Sequence, residues 1–274
     1  MGSVYVGISG YNYPRWRGPF YPQDLAARRW LEYASRQFNS IELNGTFYSL
    51  KSPAVYRRWV EETPPGFIFA VKGSRFITHN LKLARSAVPL ANFYASGILA
   101  LGRKTGPFLW QLPAIVRFNP ERITEFLELL PRGATAAAKL ARKHDSRLKR
   151  GALLTAPARV RYRHAFEVRH PSFFTEEFYD LLQRFGCSLV IADTAGKFPS
   201  EERVTANFVY VRLHGSTVLY ASSYSNTELD HWADRIQGWR EKGLDVYVYF
   251  DNDAFAHAPA NARALAARLS DAGG

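Results

Sequence analysis

Eight short apolar runs, each closing on polar or charged residues, punctuate the chain: Val4–Ile8, Ser40–Leu43, Phe67–Val71, Pro107–Trp110, Ala165–Val168, Ser188–Ala192, Phe208–Leu213 and Val246–Phe250. Their length and their β-branched and aromatic content predict strands. Segments between them carry apolar residues at helical spacing. One runs through Leu25, Trp30, Leu31 and Ala34 behind a candidate cap at Asp24. Ser52-Pro53 opens another, and Pro64-Pro65-Gly66 closes it. Asn119-Pro120-Glu121 opens a helix with Phe126, Leu127 and Leu130 on its inner face. Further helices are expected over Thr175–Arg184, after a cap at Asn226 or Thr227, and over Pro259–Leu269. Two connections break the rhythm. Gly73–Arg103 is long and holds short helical patches, whereas Asp193–Ala206 is too short for a full helix.

Eight strand–helix units predict an α/β fold, a closed (β/α)8 TIM-like barrel, and 274 residues suit one such barrel. No linker divides the chain, so a single domain over 1–274 is expected. A basic insert at 132–163 lies between the fourth helix and the fifth strand, with Thr135–Leu148 helical in composition and Gly151–Arg163 irregular. Barrels of this type carry their sites at the C-terminal strand ends. The residues there are Ser9, Glu42 with Asn44, Lys72, Gln111, Glu167 with Arg169 and His170, Asp193, Arg212 with His214, and Asp251 with Asn252.

Composition sharpens this picture in three places. Aromatics reach 15 %, and Tyr11, Tyr13 and Trp16 in the first strand-end loop are candidates for a lid or stacking wall. Cys187 is the single cysteine and opens an apolar strand, so an inert buried thiol and no internal disulfide are expected. With no leader-like N-terminal segment and no apolar run near the ~20 residues a bilayer requires, the expectation is a cytoplasmic protein with no membrane partner. The net charge of +12 is uneven. The insert alone holds ten Lys or Arg against one acid, Asp145, for +9, and the rest of the chain carries +3. Such a segment either steers a polyanion or forms an ordinary solvated face.

An ordered set of motifs carries a resemblance: Val6-Gly7-Ile8-Ser9-Gly10-Tyr11, Glu42-Leu43-Asn44-Gly45-Thr46-Phe47-Tyr48, Phe69-Ala70-Val71-Lys72, Leu101-Gly102-Arg103-Lys104, Trp110-Gln111-Leu112-Pro113, Phe166-Glu167-Val168-Arg169-His170-Pro171, Arg212-Leu213-His214-Gly215 and Tyr249-Phe250-Asp251-Asn252-Asp253. Together they resemble the YecE-like family, also called the domain of unknown function 72, over nearly the whole chain. The resemblance implies a TIM barrel and supplies no established reaction. Gly45 and Asp251 depart from it, standing where Ser and Asn are expected.

The strand ends offer several chemistries. Glu167 and Asp193 are the paired carboxylates suited to general acid–base work or glycosidic hydrolysis, with His214 as a third catalytic candidate. Their alternative is a salt-bridged network with Arg169 or Arg212, since buried charges need partners. Lys72, Arg169, Arg212 and His214 form a cationic group suited to a carboxylate or phosphate. Glu42, Glu167, Asp193, His214 and Asp251 have the donor chemistry of a divalent-metal site. No compact metal motif joins them, so a metal ranks behind the anion site. His170, ahead of Pro171, either donates protons or caps its loop, and His79 and His257 read as surface or helix-end histidines. Asn44, Gln111 and Asn252 either meet ligand hydroxyls or satisfy backbone groups, the backbone role being preferred for Gln111, and Ser9 and Tyr11 are further substrate-binding candidates. The chain has no GxGxxG, Walker or Ser–His–Asp elbow spacing. The expectation is an enzyme acting on a small polar anion, a phosphorylated sugar or nucleic-acid-like molecule, by hydrolysis or acid–base chemistry. The alternative is a non-catalytic nucleic-acid-binding module that uses the insert.

Overall fold

The computed structural model describes residues 1–148 and 151–271. Eight parallel strands follow one another in chain order around a closed barrel. They are β1 (Val4–Ser9), β2 (Ser40–Leu43), β3 (Ile68–Lys72), β4 (Thr105–Gln111), β5 (His164–Glu167), β6 (Ser188–Asp193), β7 (Phe208–Leu213) and β8 (Asp245–Phe250). Each lies within two residues of the apolar run that predicts it, and β2 and β7 coincide with theirs.

The helices depart further from their sequence signals. The first, α1 (Trp30–Ser35), starts late, behind a 3-10 turn at Ala27–Arg29, and Asp24 does not cap it. Its register is set by packing, because Trp30 stacks flat on buried Tyr21 with 4.8 Å between ring centroids. Two helices fall in stretches without a clear period: α2 (Gly45–Tyr48) directly after β2, and α4 (Ala87–Ala95), which is apolar nearly all round and buried. Between α2 and α4, α3 (Pro53–Glu61) begins at the expected Ser52-Pro53. Asn119 caps α5 (Pro120–Leu129) by accepting from Arg122 N, as its position implies. In the insert, α6 (Ala134–Ala141) is shorter than its composition suggests, because Asp145 is drawn into a two-way bond with the Asn92 amide, at 2.9 and 3.0 Å. Lys149 and Arg150 of the insert lie outside the described residues. Thr175 caps α7 (Glu176–Arg184). The cap of α8 (Asn226–Glu241) is Ser225, not Asn226 or Thr227, and it forms a reciprocal capping box with Glu228. The last helix is α9 (His257–Asp271).

Two compact units make up the chain. The first comprises Met1–Glu42 with the residues from Ser188 onward. Here the pairing register sorts side chains by parity, since residues in register share a face and the next ones point oppositely. Tyr5, Gly7 and Ser9 share a face with Ser40 and Glu42, with Tyr210 and Arg212, and with Tyr247 and Tyr249. The opposite face, including Val4 and Val6, looks toward Ala266 and Leu269 of α9. The first face therefore points away from the helices, and it is layered. Tyr5 stacks on Tyr247 at the lower end, and Ser40 meets the Tyr249 hydroxyl at 2.6 Å above them. Ser9, Glu42 and Arg212 form the top layer. Gly7 allows this closeness, since a β-carbon there would collide with the Ser40 carbonyl.

The second unit, Leu43–Cys187, holds β3, β4 and β5. Register places Lys72, Leu109 and Ala165 on one face, and Gln111 and Glu167 continue it. Phe108, Trp110, His164 and Phe166 take the other face, where Trp110 and Phe166 meet Phe126 of α5 and Phe108 meets Tyr94 of α4. Lys104 ties α3 down by donating to the Val60 and Thr63 carbonyls, both at 2.7 Å. None of the described helices is long and apolar enough to cross a membrane.

Candidate functional site

In the first unit the strand ends converge on Arg212. Its Nε donates to Glu42 Oε2 at 3.1 Å and its Nη2 to Glu42 Oε1 at 2.8 Å, a bidentate pair with no solvent exposure on either side chain. Nη2 also reaches Asp251 Oδ2 at 2.9 Å and Ser9 Oγ at 3.1 Å. Ser9 Oγ in turn donates to Glu42, as does the Tyr210 hydroxyl, at 2.6 Å. Burial and the Glu42 charge push the Tyr210 phenol well above its ordinary range, so it stays a donor. His214 completes the cluster, with Nε2 at 3.3 Å from Arg212 Nη1 and Nδ1 at 3.0 Å from Asp251 Oδ2. Arg212 can only donate, so in its contact with Arg212 the His214 Nε2 is the acceptor. Asp251 is the member whose side chain retains some exposure, 13 %.

The remaining first-unit candidates serve the loops. Asp193 is in register with Leu213, not with Arg212, so it points to the helix side. Its Oδ2 accepts from the Tyr224 hydroxyl at 3.0 Å and its Oδ1 from Ala195 N at 3.2 Å. Asn252 is fully buried and donates to the Ser222 carbonyl and to Asn261 Oδ1, both at 2.9 Å. The Tyr11 carbonyl accepts from the Tyr21 hydroxyl at 2.5 Å, and the Tyr13 hydroxyl donates to Ser9 O at 2.8 Å. Trp16 has no exposed surface and donates to Asp253 O, so it is a plug in the loop and not a stacking wall.

The second unit holds a cationic cluster. Arg169 clasps Glu167 Oε1 through Nε at 2.8 Å and Nη2 at 2.7 Å, and Glu167 is almost wholly buried. Lys72 Nζ lies 4.8 Å from the centre of the Phe47 ring. His79 packs edge-on against the same ring, 5.0 Å away, on a π-helix at Phe76–Asn80. Its imidazole is pushed down to about 4, first by burial, then by Lys72, Arg75 and Arg169, with Glu167 opposing. The charges acting on His79 are thus three cations and one carboxylate. Gln111 ends β4 beside Glu167, and Asn44 immediately precedes α2. His170 caps a 3-10 turn at Pro171–Phe173 by accepting from Ser172 N at 3.1 Å.

Three members escaped sequence reasoning. Tyr210 stands two residues before Arg212 on a strand, so the two-residue period alone puts it on the same face. Arg75 precedes and His79 sits on a π-helix in a connection without apolar period, and nothing in their spacing marks their roles. Among the described residues, no group of three or more His, Cys, Asp or Glu side chains converges as metal ligands. In the first unit it is the Arg212 guanidinium that draws the carboxylates together.

Comparison with known proteins agrees with this architecture. A DUF72 protein from Thermotoga maritima superposes with a TM-score of 0.75 at 25 % identity, covering 98 % of this chain and 99 % of its own. A DUF72 protein from Enterococcus faecalis shares the fold, with a TM-score of 0.72 at 15 % identity over 97 % of this chain and 95 % of its own. In sequence, the chain is 29 % identical to UPF0759 protein YecE of Escherichia coli K12 over 93 % of this chain and 89 % of the relative. It is 24 % identical to UPF0759 protein YunF of Bacillus subtilis over 96 % and 93 % respectively. The family model "Protein of unknown function DUF72" matches residues 5–273, and the chain belongs to that family.

Proposed function

We propose that the protein is an enzyme acting on a small anionic substrate, with the anion taken by Lys72, Arg75 and Arg169 and with Glu167 as the acid–base group. The supporting observation is the field at His79, where three cations and partial burial hold the imidazole down to about 4. A neutral His79 adds a hydrogen-bonding group without adding charge, and its Nδ1 already meets the Thr78 hydroxyl at 2.9 Å. Arg169 offers a planar fork and Lys72 a compact ammonium, the two side-chain types that bind phosphate oxygens. Glu167, held in place by Arg169, is the carboxylate beside the cations and takes the proton of a substrate hydroxyl or water. Arg212 has no solvent exposure, whereas Lys72 is half-buried and Arg75 exposed, which moves the anion role to them, with Arg169 beside Glu167.

Thermal unfolding in the presence of inorganic phosphate tests the anion site. Phosphate raises Tm, and Lys72→Ala or Arg75→Ala weakens that response by about tenfold. Phosphorylated compounds that stabilise the protein are then assayed for turnover, and Glu167→Gln lowers the rate by at least ~10²-fold. Phosphate without effect on the wild-type Tm rules the reading out.

A second reading rests on the insert. Lys139, Arg142, Lys143, Arg147, Arg159 and Arg161 are exposed, while Ala134, Ala137, Ala138 and Ala141 bury the inner side of α6. That surface suits non-catalytic binding of nucleic-acid phosphates. Affinity for an RNA or DNA oligomer that falls steeply with salt supports it.

A further inference from the structure

We infer that the substrate of the second unit is nucleotide-like, a flat apolar ring joined to the anion, and that the ring enters a cavity walled by the π-helix. This inference rests on the reading of Lys72, Arg75 and Arg169 as the anion site. The cavity measures about 250 Å3 and is lined by Leu50, Ser74, Phe76, Ile77, Pro89, Asn92 and Arg147. Small-molecule pockets begin near ~300 Å3, so this one holds a single ring system and not a whole large ligand.

Three observations support the ring pocket. The first is shared chain: Ser74, Phe76 and Ile77 line the cavity, Arg75 lies between them in sequence, and His79 belongs to the same π-helix. The second is composition. Leu50, Ile77 and Pro89 give apolar contact, the Phe76 ring is 44 % exposed, and Arg147, paired with Asp145 at 3.2 Å, sets a guanidinium at the lining. An exposed aromatic beside guanidinium groups is the combination on which a flat ring stacks while its phosphate is neutralised. The third is backbone strain. The five-residue π-helix leads into Lys82, Leu83 and Arg85, all with left-handed φ, at 50°, 69° and 49°. Leu83 is buried and donates from its N to the Ile77 carbonyl at 3.0 Å, so the strained segment is fastened to the cavity wall. Neither π-turns nor clustered left-handed non-glycine residues persist without over-determining contacts, and both concentrate where a ligand is held.

The test compares three probes by calorimetry and thermal shift: adenosine 5′-monophosphate, ribose 5-phosphate and inorganic phosphate. In the wild type, the adenosine monophosphate binds at least about tenfold tighter than ribose 5-phosphate. Leu50→Trp, which fills the cavity, and Phe76→Ala, which removes the exposed ring, bring it down to the level of ribose 5-phosphate and leave inorganic phosphate unaffected. Lys72→Ala weakens all three. Circular dichroism and urea unfolding confirm that each variant folds, and Phe76, being exposed, keeps the test open if Leu50→Trp does not. Equal binding of the two ribose phosphates, both weakened by Lys72→Ala, overturns the ring pocket and leaves the anion site standing. So does tight nucleotide binding that neither cavity variant disturbs. If none of the probes binds, the anion site falls and the ring pocket with it.

Discussion

Arg212 holds both oxygens of Glu42 at 2.8 and 3.1 Å, and neither side chain reaches solvent. Burial of such a pair is not a net gain in stability by itself, but loss of one partner leaves an uncompensated charge. Arg212→Ala is therefore expected to lower stability by about 3–5 kcal/mol, and Glu42→Gln with Arg212→Ala less than additively. Urea unfolding of the two single variants and the double variant measures the coupling. Additive losses mean the two side chains do not act as a pair.

A different buried group sets the pH response. His164 is fully enclosed, accepts from Trp110 Nε1 at 3.2 Å, and sits 2.9 Å from the Pro131 carbonyl through its other nitrogen. Burial pushes its imidazole down to about 4. The unfolded chain binds this proton near pH 6.5, and the folded chain does not until near pH 4. Between these values the unfolded state holds more protons, so stability is complete above pH 6.5 and falls as the pH drops. The loss attributable to His164 approaches about 3 kcal/mol by pH 4. His79 adds to it in the same direction. Urea unfolding between pH 7 and 4.5 shows the slope, and His164→Gln, which keeps both a donor and an acceptor, flattens it.

The strands were readable in advance because a buried parallel strand needs an unbroken apolar run, and such runs are rare elsewhere in this chain. The polar tops of those strands were readable for the same reason, as Glu42, Arg212 and Asp251 interrupt or end the runs. What they do to one another was not. Glu42 and Arg212 lie 170 positions apart, and only closure of the sheet brings them together. Asp193 shows the converse. Its place at a strand end suggests chemistry, yet one residue of register turns it to the helix side. The π-helix that carries His79 follows no period that a sequence displays, and Leu83 N, from beyond its end, holds the Ile77 carbonyl.

One local signal is open to a direct measurement. Ser225 caps α8, accepting from Glu228 N at 3.3 Å, while the Glu228 carboxylate accepts from Ser225 N at 2.7 Å. That bond holds the Glu228 carboxyl below its usual range. Ser225→Ala removes one arm of the box and is expected to cost about 1 kcal/mol, with Asn226→Ala close to neutral in comparison. Thermal unfolding of the two variants decides which residue is the cap.

Cys187 is 1 % exposed, and burial pushes its thiol up to about 12, with Arg132 opposing only weakly. At pH 8 the thiolate fraction is then on the order of 10⁻⁴, and the thiol that remains has no path to reagent. Native protein is expected to resist a thiol-specific chromogenic reagent at pH 8, whereas protein in concentrated urea gives one equivalent within seconds. Labelling in native buffer should be slower than in urea by orders of magnitude, because the chain around Cys187 must first open. Its Sγ lies 3.6 Å from the Phe185 carbonyl, and its backbone N donates to Leu182 at the end of α7. The opening that exposes the thiol is thus one in which the end of α7 comes away. Labelling in native buffer as fast as in urea, in a protein that keeps its native circular dichroism, means that the thiol is reached in the folded state and contradicts the buried assignment.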